Sequence, residues 1–171
     1  MTDIWSVITA IGTAASAIII ASTAIFALAQ LRELHRASQF DVTRKMIDEI
    51  KNPLFFKAWL QVAKDFPQRT NDAAFQAEMA STRPWEVDYE QHPEVLILAY
   101  LEEVGIYVKQ RLIDEEALLA FNQGLILQAW ERLGGVVELT RRTQQDPNAW
   151  YYTEFLVNYT KQRQSRRAGQ S

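Results

Sequence analysis

The sequence predicts an all-α protein: a single N-terminal transmembrane helix continuing into a stalk, followed by a compact cytoplasmic bundle of four to five helices. Three observations predict it. The run from Ile4 to Leu31, "IWSVITAIGTAASAIIIASTAIFALAQL", carries no charged residue. Downstream, apolar residues recur at helical spacing, and no stretch alternates as a half-buried strand would. Finally, Asn52-Pro53, His92-Pro93, Asp114 and Asp146-Pro147 cut the remainder into helix-length pieces, each a capping residue, a proline or both.

The first element, residues 1–31, is expected to be a membrane anchor. A hydrocarbon core of about 30 Å takes about 20 apolar residues as a helix, and this run offers about 28. A helix buried in a soluble core would show a polar face, whereas the least apolar side chains here are the hydroxyls of Ser6, Thr9, Thr13, Ser16, Ser22 and Thr23. A secretory signal is the main rival, because Ala27-Leu28-Ala29 resembles a cleavage site. That signal would need a basic leader, which Met1-Thr2-Asp3 lacks, and an apolar run about half as long. Arg32, Arg36, Arg44 and Lys45 all follow the span and none precedes it, which places the N-terminus outside and the rest in the cytoplasm, at the inner membrane. The absence of cysteine fits a reducing compartment.

Residues 32–52 form the expected stalk, with Leu34, Ser38, Val42, Met46 and Ile50 on one stripe until Asn52-Pro53 ends the helix. The bundle domain is expected over 53–160. "PLFFKAWLQVAKDF" spreads apolar residues around most of a helix, predicting burial on more than one side, and Pro67 is its expected stop. A polar stretch follows, with one short helix from Asp72 to Met79, and its Trp85 and Tyr89 are candidate partner contacts. Pro93 opens the next helix, whose Gly105 lets another backbone approach. Asp114 caps the one after, and Gly134-Gly135 should kink or end it. An aromatic helix from Asp146-Pro147 closes the domain, and residues 161–171 are a basic polar tail.

Chemistry is sparsely encoded. Glu102-Glu103 is the best carboxylate pair, but adjacent helical residues point about 100° apart and do not converge on one atom. Glu102 lies on the side of Leu98 and Gly105, so it is expected to be half-buried in an ion pair with Arg132, Arg141 or Arg142. Two histidines, His35 and His92, and no cysteine make a poor ligand set for a metal. Phosphate-binding glycine loops and nucleophile motifs are absent from the sequence. The expectation is a non-enzymatic protein with no cofactor and no metal. A formal net charge of −3, with acidic residues crowded between Asp65 and Glu116, argues against nucleic acid as a partner.

Within the anchor, Ser6, Thr9, Thr13, Ser16 and Thr23, with Ala10, Ala17 and Ala24, share one face opposite a row of isoleucines. Small and hydroxylated residues let membrane helices approach closely, so this face is the expected packing surface for other transmembrane helices, in a homo-oligomer or a larger complex, with lipid around the rest.

"YLEEVGIYVKQRLIDEEALLAFNQGLILQAWERL" followed by "DPNAWYYTEFLVNY" resembles a widespread bacterial family of small, N-terminally membrane-anchored proteins with an all-helical domain of unknown function. The resemblance covers most of the chain and rests on the "EEVG" helix, the Arg111-Leu112-Ile113-Asp114 exit, the Gly…Trp helix and the closing aromatic helix. Gly134-Gly135 departs from it, standing where such sequences tend to place a proline. The resemblance implies the fold and carries no activity or cofactor. The expected function is an accessory or scaffolding subunit that packs against other membrane helices and presents its bundle to a soluble partner. The alternative is a membrane-tethered sensor or effector that responds to a ligand or stress through a pocket near Trp85 and Tyr89.

Overall fold

In the computed structural model the described residues, 4–81 and 87–169, form six α-helices and no strand. They are α1 (Ile4–Lys51), α2 (Pro53–Arg69), α3 (Ala73–Ser81), α4 (Pro93–Lys109), α5 (Glu115–Gln144) and α6 (Tyr151–Ala168). The chain divides into two compact units, Met1–Phe40 and Asp41–Ser171.

The first unit is made from α1. Every side chain described between Ile4 and Ser38 is exposed, including Ile8, Ile11, Ile18 and Ile25. Among the described residues it is the one helix long and apolar enough to cross a bilayer. Its hydroxyls turn back onto their own backbone, as is common for Ser and Thr within helices. Thr9 donates to the Trp5 carbonyl, Thr13 to Thr9, and both Ser22 and Thr23 to Ile19, at 2.8–2.9 Å.

The second unit begins inside the expected stalk. Met46 is buried in the core, with Val42 and Ile50 packed against it, so the stripe read for a stalk is largely a core-facing one. Lys45 joins this stretch of α1 to α4, its ammonium 2.5 Å from Glu103 and 3.1 Å from the Tyr107 hydroxyl. Burial pushes the Glu103 carboxyl up, but hydrogen bonds from Lys45 and Tyr107 outweigh it and hold the group below its ordinary range.

α4 is the central element, packed against α6, α2 and α5. Ile97, Leu98, Leu101 and Val104 are fully buried along it, and the Tyr100 hydroxyl donates to buried Asn122 of α5 at 2.7 Å. α2 buries a single stripe, Phe55, Ala58, Val62 and Phe66, against the expectation of burial on several sides. Phe56 and Leu60, one turn apart, remain 57% and 52% exposed. The apolar content of α2 overstated its buried arc, because spacing and not composition selects the core face.

Two expected breaks are absent. α5 runs unbroken through Gly134-Gly135, because Leu133, Val136 and Val137 on either side are fully buried, and core packing overrides a propensity cost of about 1 kcal/mol per glycine. α2 runs two residues past Pro67. A proline cannot donate to the carbonyl four residues earlier, and that carbonyl, of Ala63, instead accepts from the Arg132 guanidinium of α5.

Arg132→Met should therefore cost about 1–3 kcal/mol in guanidinium unfolding, the penalty of a carbonyl left without its donor. In a Pro67→Ala background the restored backbone N–H serves Ala63, and the same substitution should cost less than half as much. Equal costs in the two backgrounds would show that Arg132 acts elsewhere. The last helix also departs from expectation: α6 continues to Ala168, so most of the basic tail is helical. Its Lys, Gln and Arg residues are good helix formers, and buried Thr160 ties its middle to the unit.

Candidate functional site

Among the described residues no arginine pairs with Glu102. Its Oε1 accepts the Tyr152 backbone N–H at 3.1 Å, and its Oε2 accepts the Thr153 N–H at 2.7 Å with the Thr153 hydroxyl at 2.9 Å. Those are the amides of the first turn of α6, which a helix leaves without internal acceptors. Trp150, the residue before the helix, is left-handed at φ 59° and offers no capping side chain. A carboxylate from α4 thus does the work of an N-cap, with the positive end of the helix adding to the attraction.

The arginines expected to neutralise Glu102 are engaged elsewhere or apart from it. Arg132 serves Ala63, as described. Arg141 binds Glu154 at 2.8 Å and the Ala149 carbonyl at 3.0 Å, which braces the α5–α6 connection, and Arg142 is exposed. The expected ion pair failed because sequence spacing showed that Glu102 needs compensation but not that backbone donors from residues fifty positions later would provide it.

One turn along the same face of α4 stands Gly105. A Cβ there would lie 2.2 Å from the Tyr152 carbonyl oxygen and 2.7 Å from its carbon, so glycine is required for α6 to come close enough to reach Glu102. This is the close approach that the sequence predicted, and Tyr152 is what approaches.

The α5–α6 connection also forms one wall of a cleft of about 270 Å³. Met79 at the end of α3, Val87, and Val95 of α4 form the other side, with Glu102, Thr140 and Gln144 between them. Asp146, Ala149 and Trp150 complete it. The connection is rigid for a loop. Gln145 is left-handed at φ 54°, Asp146 Oδ1 accepts the Asn148 N–H at 2.9 Å, and Ala149 and Tyr151 bond back to Asp146 and Asn148. Most polar groups in the walls are already occupied: the Thr140 hydroxyl donates to Val136 at 2.9 Å, and both Glu102 oxygens serve α6. The Trp150 indole Nε1 is buried and has no hydrogen-bond partner among the described residues.

Of the aromatic residues expected to make contacts near here, Trp85 lies outside the described residues, and Tyr89 is 40% exposed and does not line the cleft. Val95, Thr140 and Gln144 were not singled out by the sequence, and Trp150 was read only as part of the closing aromatic stripe. Only the Asp146-Pro147 turn beside them carried a local signal.

Beside the cleft, where α3 meets α4, His92 lies between two carboxylates. Its Nδ1 is 2.9 Å from Glu94 Oε1 and its Nε2 3.4 Å from Glu78. His92 is 4% exposed and Glu94 0%, with Glu94 Oε2 buried and without a hydrogen-bond partner among the described residues. Burial pushes the Glu94 carboxyl up, and the His92 hydrogen bond offsets this only in part. A folded-state pKa above the unfolded one gives stability that is whole in acid and lost as pH rises through the folded value. Glu94→Gln should therefore gain stability relative to the parent as pH rises above the ordinary carboxyl range of about 4 to 5, and gain nothing in more acid solution. Denaturant midpoints measured on both sides of that range check it; a parent-minus-variant difference independent of pH would refute it. Among the described residues no group of three histidine or acidic side chains could hold a metal ion.

The transmembrane face expected from Ser6, Thr9, Ala10, Thr13, Ser16, Ala17, Thr23 and Ala24 is borne on α1. The side chains of Ser6 and Ala10 lie outside the described set, and the other six are exposed.

An apolar helix of membrane-spanning length and a compact helical unit with a small, apolar cleft define the class: an all-helical protein with one candidate transmembrane helix. The chain belongs to the family described as Domain of unknown function (DUF4760), which matches residues 17–160. That match takes in the second half of the uncharged run as well as nearly all of the helical unit. No curated protein and no solved structure matches the chain.

Proposed function

We propose that the chain is a single-pass membrane protein, N-terminus outside, whose cytoplasmic helical bundle senses a small molecule and signals its presence at the inner membrane. The observation that carries the sensor reading is the cleft beside Trp150: a mostly apolar concavity on a braced connection. The anchor rests on the uncharged run and its exposed isoleucines, and the orientation on the basic residues that follow it.

Two measurements test the two halves. The chain has no cysteine, so Thr2→Cys and Ser165→Cys each create a single label site. An impermeant maleimide on intact cells should label the first and spare the second. For the cleft, a small-molecule extract of the expressing cells should raise the unfolding temperature of the purified full chain and leave a cleft-filling Val87→Phe variant unmoved. An equal response from both, or from neither, would remove the sensor reading.

The accessory-subunit reading keeps one supporting observation, the exposed Phe56 and Leu60 on α2, which would suit a protein partner. In a pairing of α1 through Ala17 and Ala24, the hydroxyls of Thr9, Thr13 and Thr23 would serve a neighbour only as acceptors, because each already donates within its own helix. Unchanged association in Ala17→Leu with Ala24→Leu would dismiss that pairing.

A further inference from the structure

We infer that a groove along one side of α1, at the C-terminal end of its uncharged run, is a binding site for an anionic phospholipid whose phosphodiester is held by Arg32 and Arg36. This rests on the reading of α1 as a membrane anchor and adds the class of lipid it holds. Leu28, Leu31, Arg32, His35, Arg36 and Gln39 line the groove. They recur at the three- and four-residue steps that put side chains on one face of a helix, and all six belong to the first unit.

Depth follows from helix rise. The Cα of Arg32 lies about 1.5 Å, and that of Arg36 about 7.5 Å, beyond Leu31, the last residue of the uncharged run. A headgroup layer is about 5–7 Å deep on each side of the hydrocarbon, so both arginines start at its level. In a helix the Cα–Cβ bonds tilt toward the N-terminus, which here is the bilayer side. The guanidiniums therefore lean back toward the lipid phosphates, while exposed Leu28 and Leu31 meet the first carbons of the acyl chains.

Charge selects the occupant. Arg32 and Arg36 are both exposed and stand one turn apart. The acidic residues nearest in sequence, Glu33 and Asp41, lie more than about 100° round the helix from the middle of the groove. A guanidinium donates parallel hydrogen bonds to phosphate oxygens, and two of them over one phosphodiester leave a positive surplus that favours a headgroup without a cation of its own. A second copy of the chain is the rival occupant, because Ala24 continues this face one turn below Leu28. In one membrane the two α1 helices would run parallel, and a two-fold pairing through this face would set the arginines of each copy against the same arginines of the other. Lipid meets no such repulsion.

The test uses the full chain in nanodiscs made of phosphatidylglycerol and phosphatidylcholine in equal parts. Native mass spectrometry of the released protein counts the lipids it retains, and the ratio of the two is the readout. The parent should retain mostly phosphatidylglycerol. That ratio should fall about fivefold in Arg32→Gln and in Arg36→Gln, the worth of one basic residue at an anionic leaflet. It should hold in Arg44→Gln, a control outside the groove whose guanidinium stands 3.8 Å from Asp48. Equal retention of the two lipids by the parent, or an equal fall in Arg44→Gln, would overturn the site while leaving the anchor standing. A dimer that Arg32→Gln dissolves would give the face to a second copy instead. Release of the parent from vesicles by alkaline carbonate would overturn the anchor itself.

Discussion

Gly105→Ala should destabilise the protein by about 1–3 kcal/mol, although on an open helix the same change would gain about 1 kcal/mol. The added methyl meets backbone, not a side chain that can swing away, since the Tyr152 carbonyl would stand 2.2 Å from it. α4 and α6 must separate, and separation lengthens the hydrogen bonds from Tyr152 and Thr153 to Glu102 on the same face. Gly134→Ala provides the internal control. A Cβ there would lie 3.7 Å from the Trp130 ring, in ordinary contact within a continuous helix, so this variant should be up to about 1 kcal/mol more stable. Guanidinium unfolding of the full chain in mild detergent, followed by tryptophan fluorescence, checks both. Two glycine variants moving in the same direction would contradict the account of α4 and α6.

Glu102→Ala should cost about 2–4 kcal/mol, because it strips acceptors from two first-turn amides and from the Thr153 hydroxyl, and Thr153 is fully buried. Glu102→Gln keeps one acceptor oxygen but turns an NH₂ toward a backbone donor, so it should recover only part of that loss. Hydrogen exchange locates the effect: in both variants the amides of Tyr152 and Thr153 should lose protection before those in the middle of α5. If Glu102→Gln matches the parent, the carboxylate charge contributes nothing to holding α6. The cost should not add to that of Gly105→Ala, because the two substitutions damage one contact.

The sequence disclosed those parts of the molecule whose cause is local. The uncharged run, Pro53 and Pro93 at helix starts, and the Asp114 cap all act within a few residues, and each stands where spacing put it; Asp114 accepts the Ala117 N–H at 3.0 Å. Gly105 was legible too, because a glycine in the middle of an apolar helical stripe has few other uses. What stayed hidden depends on residues far apart in the chain. Pro67 looked like a stop because nothing near it shows that Arg132, sixty-nine residues from Ala63, will take over the abandoned carbonyl. Gly134-Gly135 looked like a break because the burial that holds α5 straight comes from other helices. The cleft was legible only at one edge, since a pocket was expected near Trp85 and Tyr89 and Val87 between them lines it, whereas Met79, Val95 and Trp150 belong to three separate segments.

The carboxylate cap on α6 also sets an order of events during synthesis. The ribosome delivers α4 well before Tyr152 and Thr153, so Glu102 waits in the nascent chain with a charge that the finished fold half-buries, and Gly105 leaves a groove beside it with nothing to fill it. Both are closed only once α6 has emerged. Messages truncated ahead of Tyr151 would accordingly yield products that quality-control proteases recognise, although five of the six helices had been made.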